Sequence, residues 1–225
     1  KLRSQAVVIA SGSFEQPAIF RNNDLPGVML GSAAQRLIRL YGVKPGQQAV
    51  VMTANNDGYG VALDLSDAGV DVAAVIDMRD KANSTELTDP LSRRNIEVLN
   101  QHAIYEALSG PGKRSIKGVK VAAISGEGQL STATRDIDCD LLCMSVGYSP
   151  AAQLICHSGG RLVYDEDTAM LKVSALPAHG EGERSVVSGS LNGMFELEAV
   201  ISDGRHAGWS AANMAGFNEG AQAEL

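Results

Sequence analysis

The chain has 225 residues, 44% of them hydrophobic and 20% charged, with a formal net charge of -7, which leaves room for one large globular domain or two modest ones. The acidic balance gives no electrostatic reason to seek nucleic-acid phosphates or anionic lipid, and aromatics at 4% do not furnish a base-stacking platform. No apolar run reaches the roughly 18–20 residues of a membrane span. No signal-peptide pattern is read at the start of the sequence, where Lys1 leads into a mixed stretch, and the apolar strand close behind it makes this N-terminus read as a cut inside a longer protein.

Gln5 to Ala10 is a short β-branched run, expected as a buried strand, and Ser11-Gly12-Ser13 turns the chain after it. Asn22 to Gly27 has loop composition. Ser32 to Tyr41 follows as a helix, with Ser32 as the expected N-cap, Leu37 and Leu40 at helical spacing, and Gly42 as the stop.

The clearest unit begins at Gly46. Gln48 to Thr53 reads as a strand, Asn55 to Gly58 as a turn, and Gly60 to Ala68 as a helix closed by Gly69. Val70 to Ile76 is a second strand ending at Asp77. Strand, turn, helix, glycine, strand over about 30 residues has the size of a dinucleotide-binding βαβ unit.

Beyond it, Lys81 to Arg94 is polar and partly helical, and Ile96 to Leu99 is placed as a third parallel strand. Ala103 to Leu108 and Ile116 to Ile124 flank Gly110-Pro111-Gly112 as a β-meander. Asp140 to Val146 is another buried strand; Leu162 to Tyr164 and Ser185 to Ser188 are short ones. Phe195 to Ile201 and Ala207 to Phe217 read as two helices joined by Ser202-Asp203-Gly204-Arg205. Val7 to Gly12 and Leu141 to Gly147 echo one another, each an apolar run ending in a small residue and glycine with a proline soon after. Either such strand ends are simply common, or each belongs to one of two similar nucleotide-binding domains.

A dinucleotide turn ordinarily spells GxGxxG: one glycine for the tight turn, one for close approach of backbone to pyrophosphate, one for helix–strand packing. Here those positions hold Thr53, Asn55 and Gly58, so only the packing glycine survives. Asn55 can still turn the chain, although its side chain would crowd a pyrophosphate. Asp77 stands where an NAD site carries the acid for the ribose hydroxyls. Two readings stay open: a variant NAD site using Thr53, Asn55, Asn56 and Asp77, or a Rossmann scaffold that holds no dinucleotide.

No catalytic constellation emerges. Asp24 reads as a turn residue before Leu-Pro-Gly. His102, His157, His179 and His206 show no metal-ligand spacing, and no metal is expected. His179 is placed in a solvated loop, Pro177 to Gly182. Asp165-Glu166-Asp167 reads as a solvated turn, and Trp209 as a packing residue. Cys139, Cys143 and Cys156 form no CxxC and are expected buried and reduced, as in a cytoplasmic protein. Cys139 and Cys143, four apart on one strand, would lie about 13 Å apart, too far for a disulfide.

Ala10-Ser11-Gly12-Ser13 resembles the strand end of flavoprotein disulfide-reductase folds. Phe14 to Pro17, Phe20, Asn23 to Leu30, Val51 to Asp57, Ala68-Gly69-Val70, Val75 to Arg79, Ser158 to Leu162 and Gly189 to Gly193 form a more specific ordered set. Together they resemble the alpha subunit of heterotetrameric sarcosine oxidase over nearly the whole chain. The resemblance implies an α/β fold of two Rossmann-like domains of FAD/NAD(P)-binding, three-layer ββα type. One would be inserted in the other, and the outer one truncated at its N-terminus. Residues 1–20 plus 148–225 would form the outer domain and residues 21–147 the inserted one.

It further implies NAD on the full subunit, two flavins (FAD and FMN) elsewhere in the complex, and partner subunits of a hetero-oligomeric oxidase. The implied reaction is oxidation of sarcosine to glycine with transfer of the methyl carbon to folate. On the outer domain, Ala10, Ser11 and Gly12 on one side and Gly189, Asn192 and Gly193 on the other would flank the cofactor. Gly193 would precede a helix whose amides face it, unless Gly189 to Gly193 is an ordinary strand-to-helix loop. By itself the segment is expected to be inactive, and the sequence leaves open whether it binds a dinucleotide alone. The competing readings are a scaffold or interface module that binds no dinucleotide, and a subunit of a related amine or amino-acid dehydrogenase of the proline, octopine/nopaline or N-methylglutamate type.

Overall fold

The computed structural model describes residues 4–80, 85–166, 168–176 and 185–217. In chain order the elements are strands β1 (Val7–Ile9), β2 (Ser13–Glu15) and β3 (Val28–Leu30), helix α1 (Gly31–Tyr41), strand β4 (Gln48–Thr53), helix α2 (Asp57–Asp67), strand β5 (Asp71–Asp77) and helix α3 (Thr85–Arg93). Strands β6 (Glu97–Asn100), β7 (His102–Ser109), β8 (Ile116–Gly126), β9 (Gln129–Asp138), β10 (Leu141–Ser145) and β11 (Tyr148–Pro150) follow. Helix α4 (Gln153–His157), strands β12 (Arg161–Asp165), β13 (Met170–Ala175) and β14 (Ser185–Val187), and helix α5 (Leu197–Met214) complete the chain. The chain divides into two compact units, Lys1–Phe14 with Tyr148–Leu225, and Glu15–Gly147.

In the Glu15–Gly147 unit a five-stranded sheet runs in the order β3-β10-β4-β5-β6, parallel throughout. Parallel sheets are buried on both faces, and every residue of β10 and all of β4 but Gln48 are buried. Successive side chains point to opposite faces. Val51, Val75 and Cys143 therefore meet helix residues Ala34, Val61, Leu65 and Leu91. Val50, Met52, Ile76, Leu142 and Met144 meet Ile104, Val119, Val121 and Ile137 of the antiparallel sheet β7-β8-β9. Helices, parallel sheet and β-meander make three layers, and the C-terminal ends of β4, β5 and β10 share one edge.

In the other unit β1 runs parallel to β14, with Ile9 opposite Val187. β12 and β13 form an antiparallel pair, and β2 pairs with β11. Its small core joins Ile9, Ala152, Ile155 and Leu191, with Leu162, Val173 and Val187 packed against them.

The βαβ unit at Ala49–Asp77 is present as two adjacent parallel strands bridged by a helix. Several local expectations change. Helix α2 starts at Asp57 instead of Gly60, because part of the expected turn is already its first turn. Ser32 is not the N-cap of α1. The helix begins at Gly31 after Leu30, which has no capping side chain, and the Ser32 amide donates to Glu15 Oε2 at 2.9 Å. Gly42 ends α1 in the left-handed conformation, as its position predicts. Leu40 faces outward, 67% exposed. The two C-terminal helices are one continuous α5 that includes Ser202 to Arg205. Strands β2, β3, β9, β11 and β13 and helix α4 had no counterpart in the sequence reading, which placed Ser13 in a turn. The expectations for Lys81–Ser84, Asp167 and the His179 loop fall outside the described residues.

Candidate functional site

In the Glu15–Gly147 unit, the edge where a βαβ fold receives a ligand is formed by Thr53 at the end of β4, Asn55 and Asn56 after it, and Asp77 at the end of β5. The structure brings all four together. Thr53 is buried, and its hydroxyl lies 2.9 Å from both the Ser145 and Asn55 carbonyls. Gly58 sits against it: a Cβ at Gly58 would stand 2.3 Å from Thr53 Cβ. The amides of the turn bond within the chain, Ala54 to the Ser145 carbonyl, Asn55 to Thr53 Oγ1, Asp57 to Asn55 Oδ1 and Tyr59 to the Asn56 carbonyl.

Asp77 is fully buried and accepts four hydrogen bonds. They come from the Tyr59 hydroxyl at 2.8 Å, the Arg79 amide at 2.9 Å, Arg79 Nε at 3.0 Å and Arg79 Nη2 at 2.8 Å. The guanidinium also reaches Asn56 Oδ1 at 2.9 Å and the Asn55 carbonyl at 3.1 Å. Hydrogen bonding to Asp77 is the main cause that holds the Arg79 pKa above its ordinary value. Burial first, and the Asp77 carboxylate second, raise that of Tyr59. Tyr59 and Arg79 are the members of this cluster that the sequence reading missed. The available signal was the Asp-x-Arg spacing, which lets one side chain fold back on the strand-end acid.

In the other unit the parallel pairing of β1 and β14 puts their C-terminal ends side by side, so Ala10, Ser11 and Gly12 come next to Gly189. The Ser188 amide donates to the Ile9 carbonyl at 3.0 Å, and Ser11 Oγ to the Ala151 carbonyl at 2.7 Å. Gly12 has φ +80°, and a Cβ there would lie 3.7 Å from Ser190 Oγ. Gly189 and Asn192 form a short 3-10 turn, and Gly193 closes it in the left-handed conformation with its amide on the Ser190 carbonyl. Gly193 therefore does not lead directly into a helix: α5 starts at Leu197, and the Gly193 amide is spent on the turn. Asp203 of α5 accepts from the Gly189 amide at 2.7 Å and from Asn192 Nδ2 at 3.1 Å. That acid sits in the segment read as an interhelical linker.

Asp24 lies in the Asn22–Gly27 turn. Among the described residues, no three His, Cys, Asp or Glu side chains are grouped as a metal site would need, and no helix is long and apolar enough to cross a membrane. The Trp209 indole N–H is buried and has no acceptor among the described residues.

Of the three cysteines, Cys139 and Cys143 are buried, whereas Cys156, expected inside, is exposed because it sits on the outer side of the short helix α4. Burial pushes the thiols of Cys139 and Cys143 up to about 12 each. At pH 8 a disulfide-exchange reagent is expected to label Cys156 quickly and the other two only on unfolding. The same shifts set a pH dependence. The fold holds the protonated thiols, and the unfolded chain loses these protons above about pH 8.5. The stabilisation is complete below that pH and falls as pH climbs toward 12, by about 1.4 kcal/mol per pH unit per thiol. Urea titrations at pH 8 and pH 10.5 should show the loss, and Cys143→Ala should reduce it.

The chain matches no family model. It is 30% identical over 221 residues to sarcosine oxidase subunit alpha of Corynebacterium sp. (strain P-1), covering 98% of this chain and 22% of that protein. It is 32% identical over 197 residues to sarcosine oxidase subunit alpha of Rhizobium meliloti (strain 1021), covering 88% and 18%. The chain thus spans about a fifth of the length of the curated relatives it matches. Among solved structures it is similar to T. acidophilum thioredoxin reductase, with TM-score 0.67 and 17% identity over 93% of this chain and 64% of that one. A FAD-dependent pyridine nucleotide-disulphide oxidoreductase from Desulfovibrio vulgaris matches with TM-score 0.64 and 18% identity, over 94% and 55%. The chain has the fold of FAD/NAD(P)-binding Rossmann-type oxidoreductases, and its sequence is similar throughout to a segment of sarcosine oxidase subunit alpha.

Proposed function

We propose that this chain is part of a sarcosine oxidase alpha-type subunit and contributes dinucleotide binding and subunit assembly to a flavin-dependent amine oxidoreductase. The observation that carries the reading is the 30% identity that persists across 98% of the chain, through both units. Residues 1–20 with 148–225 act as the outer dinucleotide-binding domain, and residues 21–147 form an inserted Rossmann-like domain with a degenerate glycine turn. Ala10, Ser11 and Gly12, with Gly189 and Asn192, flank the dinucleotide at the shared C-terminal edge of β1 and β14, the edge at which open parallel sheets receive ligands. The glycine backbone there suits such a neighbour: a Cβ at Gly189 would meet only Val200 at 4.0 Å, and one at Gly193 nothing within 4 Å.

Bound there, NAD would supply a dinucleotide, while FAD and FMN elsewhere in the assembly would take electrons from sarcosine as its methyl carbon passes to folate. This chain's own residues present the β1 and β14 strand ends and hold the Gly189 turn through Asp203. The partners are the other subunits of a hetero-oligomeric, cytoplasmic oxidase. The decisive experiment is to purify the full-length protein with its partner subunits. Bound nucleotides and flavins are measured after acid release, and oxidation of sarcosine, proline and N-methylglutamate is followed both as peroxide, with oxygen as acceptor, and as reduction of an artificial electron-acceptor dye. Bound NAD and flavins with sarcosine-dependent peroxide are expected. Turnover of another amine instead would move the protein to a related dehydrogenase, and an assembled complex without dinucleotide would make the chain a scaffold.

A further inference from the structure

A βαβ unit takes a dinucleotide through three features: free amides at its first turn, a glycine gap for the pyrophosphate, and an unoccupied carboxylate at the end of its second strand for the ribose hydroxyls. In β4–α2–β5 four of the turn amides, the glycine gap and the carboxylate are engaged by the chain itself. The amides of Ala54, Asn55, Asp57 and Tyr59 have internal acceptors. The pyrophosphate gap, at the second glycine position, carries the Asn55 side chain, whose Oδ1 accepts from the Asp57 amide, and the first position holds the Thr53 side chain, pressed against Gly58. The carboxylate of Asp77 is saturated by Tyr59 and Arg79.

Arg79 spans the whole edge. One guanidinium links the strand-end acid to the Asn55 carbonyl and the Asn56 side chain on the far lip of the turn. It thereby takes the acceptors that a ribose would use. Charge-assisted, forked bonds of this kind are about twice as strong as those of a neutral hydroxyl. The group is also tethered two residues from its partner, so it competes as an intramolecular ligand. A ribose would have to displace a cation from a fully buried anion and leave that anion with neutral donors only.

We propose that Arg79 is a built-in occupant of the ribose-acceptor position, so that the Glu15–Gly147 unit is closed to NAD, NADP and ADP-ribose. Any dinucleotide the protein carries is held outside β4–α2–β5. This assignment rests on the cluster alone and holds whether or not sarcosine is the substrate.

Hydrogen–deuterium exchange of the full protein tests it, with and without 5 mM (about 5 mM suffices to reveal weak sites) NAD, NADP or ADP-ribose. Segments 53–59 and 77–79 are expected to exchange identically in all four conditions, and Arg79→Ala is expected to speed exchange across 53–59 about tenfold. Ligand-dependent protection of either segment in the wild-type protein would overturn the proposal, and so would unchanged exchange in a folded Arg79→Ala variant. Affinity gives a second reading: Asp77→Asn should alter any NAD affinity less than threefold, and a larger loss in a folded variant would restore Asp77 as a ribose ligand. Should both variants fail to fold, the wild-type comparison decides alone.

Discussion

Replacing Asp77 by Ala should cost about 3 kcal/mol of unfolding free energy, toward the low end for a broken buried ion pair. The lower end applies because the Arg79 side chain keeps 24% exposure while Asp77 has none. The loss has two parts. The guanidinium, left without its carboxylate beside the Asn55 carbonyl, keeps only neutral acceptors. The Tyr59 hydroxyl, in a residue with 0% exposure, loses its acceptor at 2.8 Å. Denaturant unfolding of Asp77→Ala, Arg79→Ala and the double variant separates them. If the pair is the unit of stability, the double variant should be far less damaged than the sum of the two singles. Additive costs would mean that Arg79 and Asp77 act independently. Tyrosine ionisation is a further check. Burial is the larger cause of the Tyr59 shift, so Asp77→Ala should bring its pKa down part of the way and leave it above the ordinary value.

The same cluster marks how far sequence reasoning reached. The β4–α2–β5 unit was legible because continuous apolar runs of strand length flank a segment of helix length in the right order, with Gly69 at the break. Strand β9 was not legible. Gln129–Asp138 is polar and largely exposed, and it is a strand only because β8 offers a ladder, a tertiary cause with no local trace. Helix α5 was read as two because Ser202-Asp203-Gly204-Arg205 has loop composition. A mid-helix glycine costs only about 1 kcal/mol, and Asp203 gains partners at Gly189 and Asn192. The strand-end acid was found from position, but its occupancy was not. Whether a carboxylate waits for a ribose or is met by an arginine two residues on depends on a side-chain path that spacing alone leaves undetermined.

Gly58 carries the other large effect. It is the single glycine of the three turn positions to survive, and the structure shows what it is for. A methyl group there would lie 2.3 Å from Thr53 Cβ and 2.4 Å from Thr53 Oγ1. The obstructing atoms sit at the root of a side chain, on the last residue of the central strand β4, so no rotamer change clears them. Helix α2 would have to retreat from the sheet, loosening Val61 and Leu65 against Val51 and Val75. Gly58→Ala is therefore expected to destabilise by about 3 kcal/mol, the upper end for overpacking, although alanine is the better helix former and would add about 1 kcal/mol at an unobstructed site. The sign of the change thus tells contact from propensity. The compensating variant is Thr53→Gly, which removes the obstructing atoms: combined with Gly58→Ala it should recover part of the loss despite the added chain entropy of glycine. Equal unfolding midpoints for Gly58→Ala and wild type in urea would mean that α2 does not pack this closely on β4. The glycine would then have no steric task at this edge.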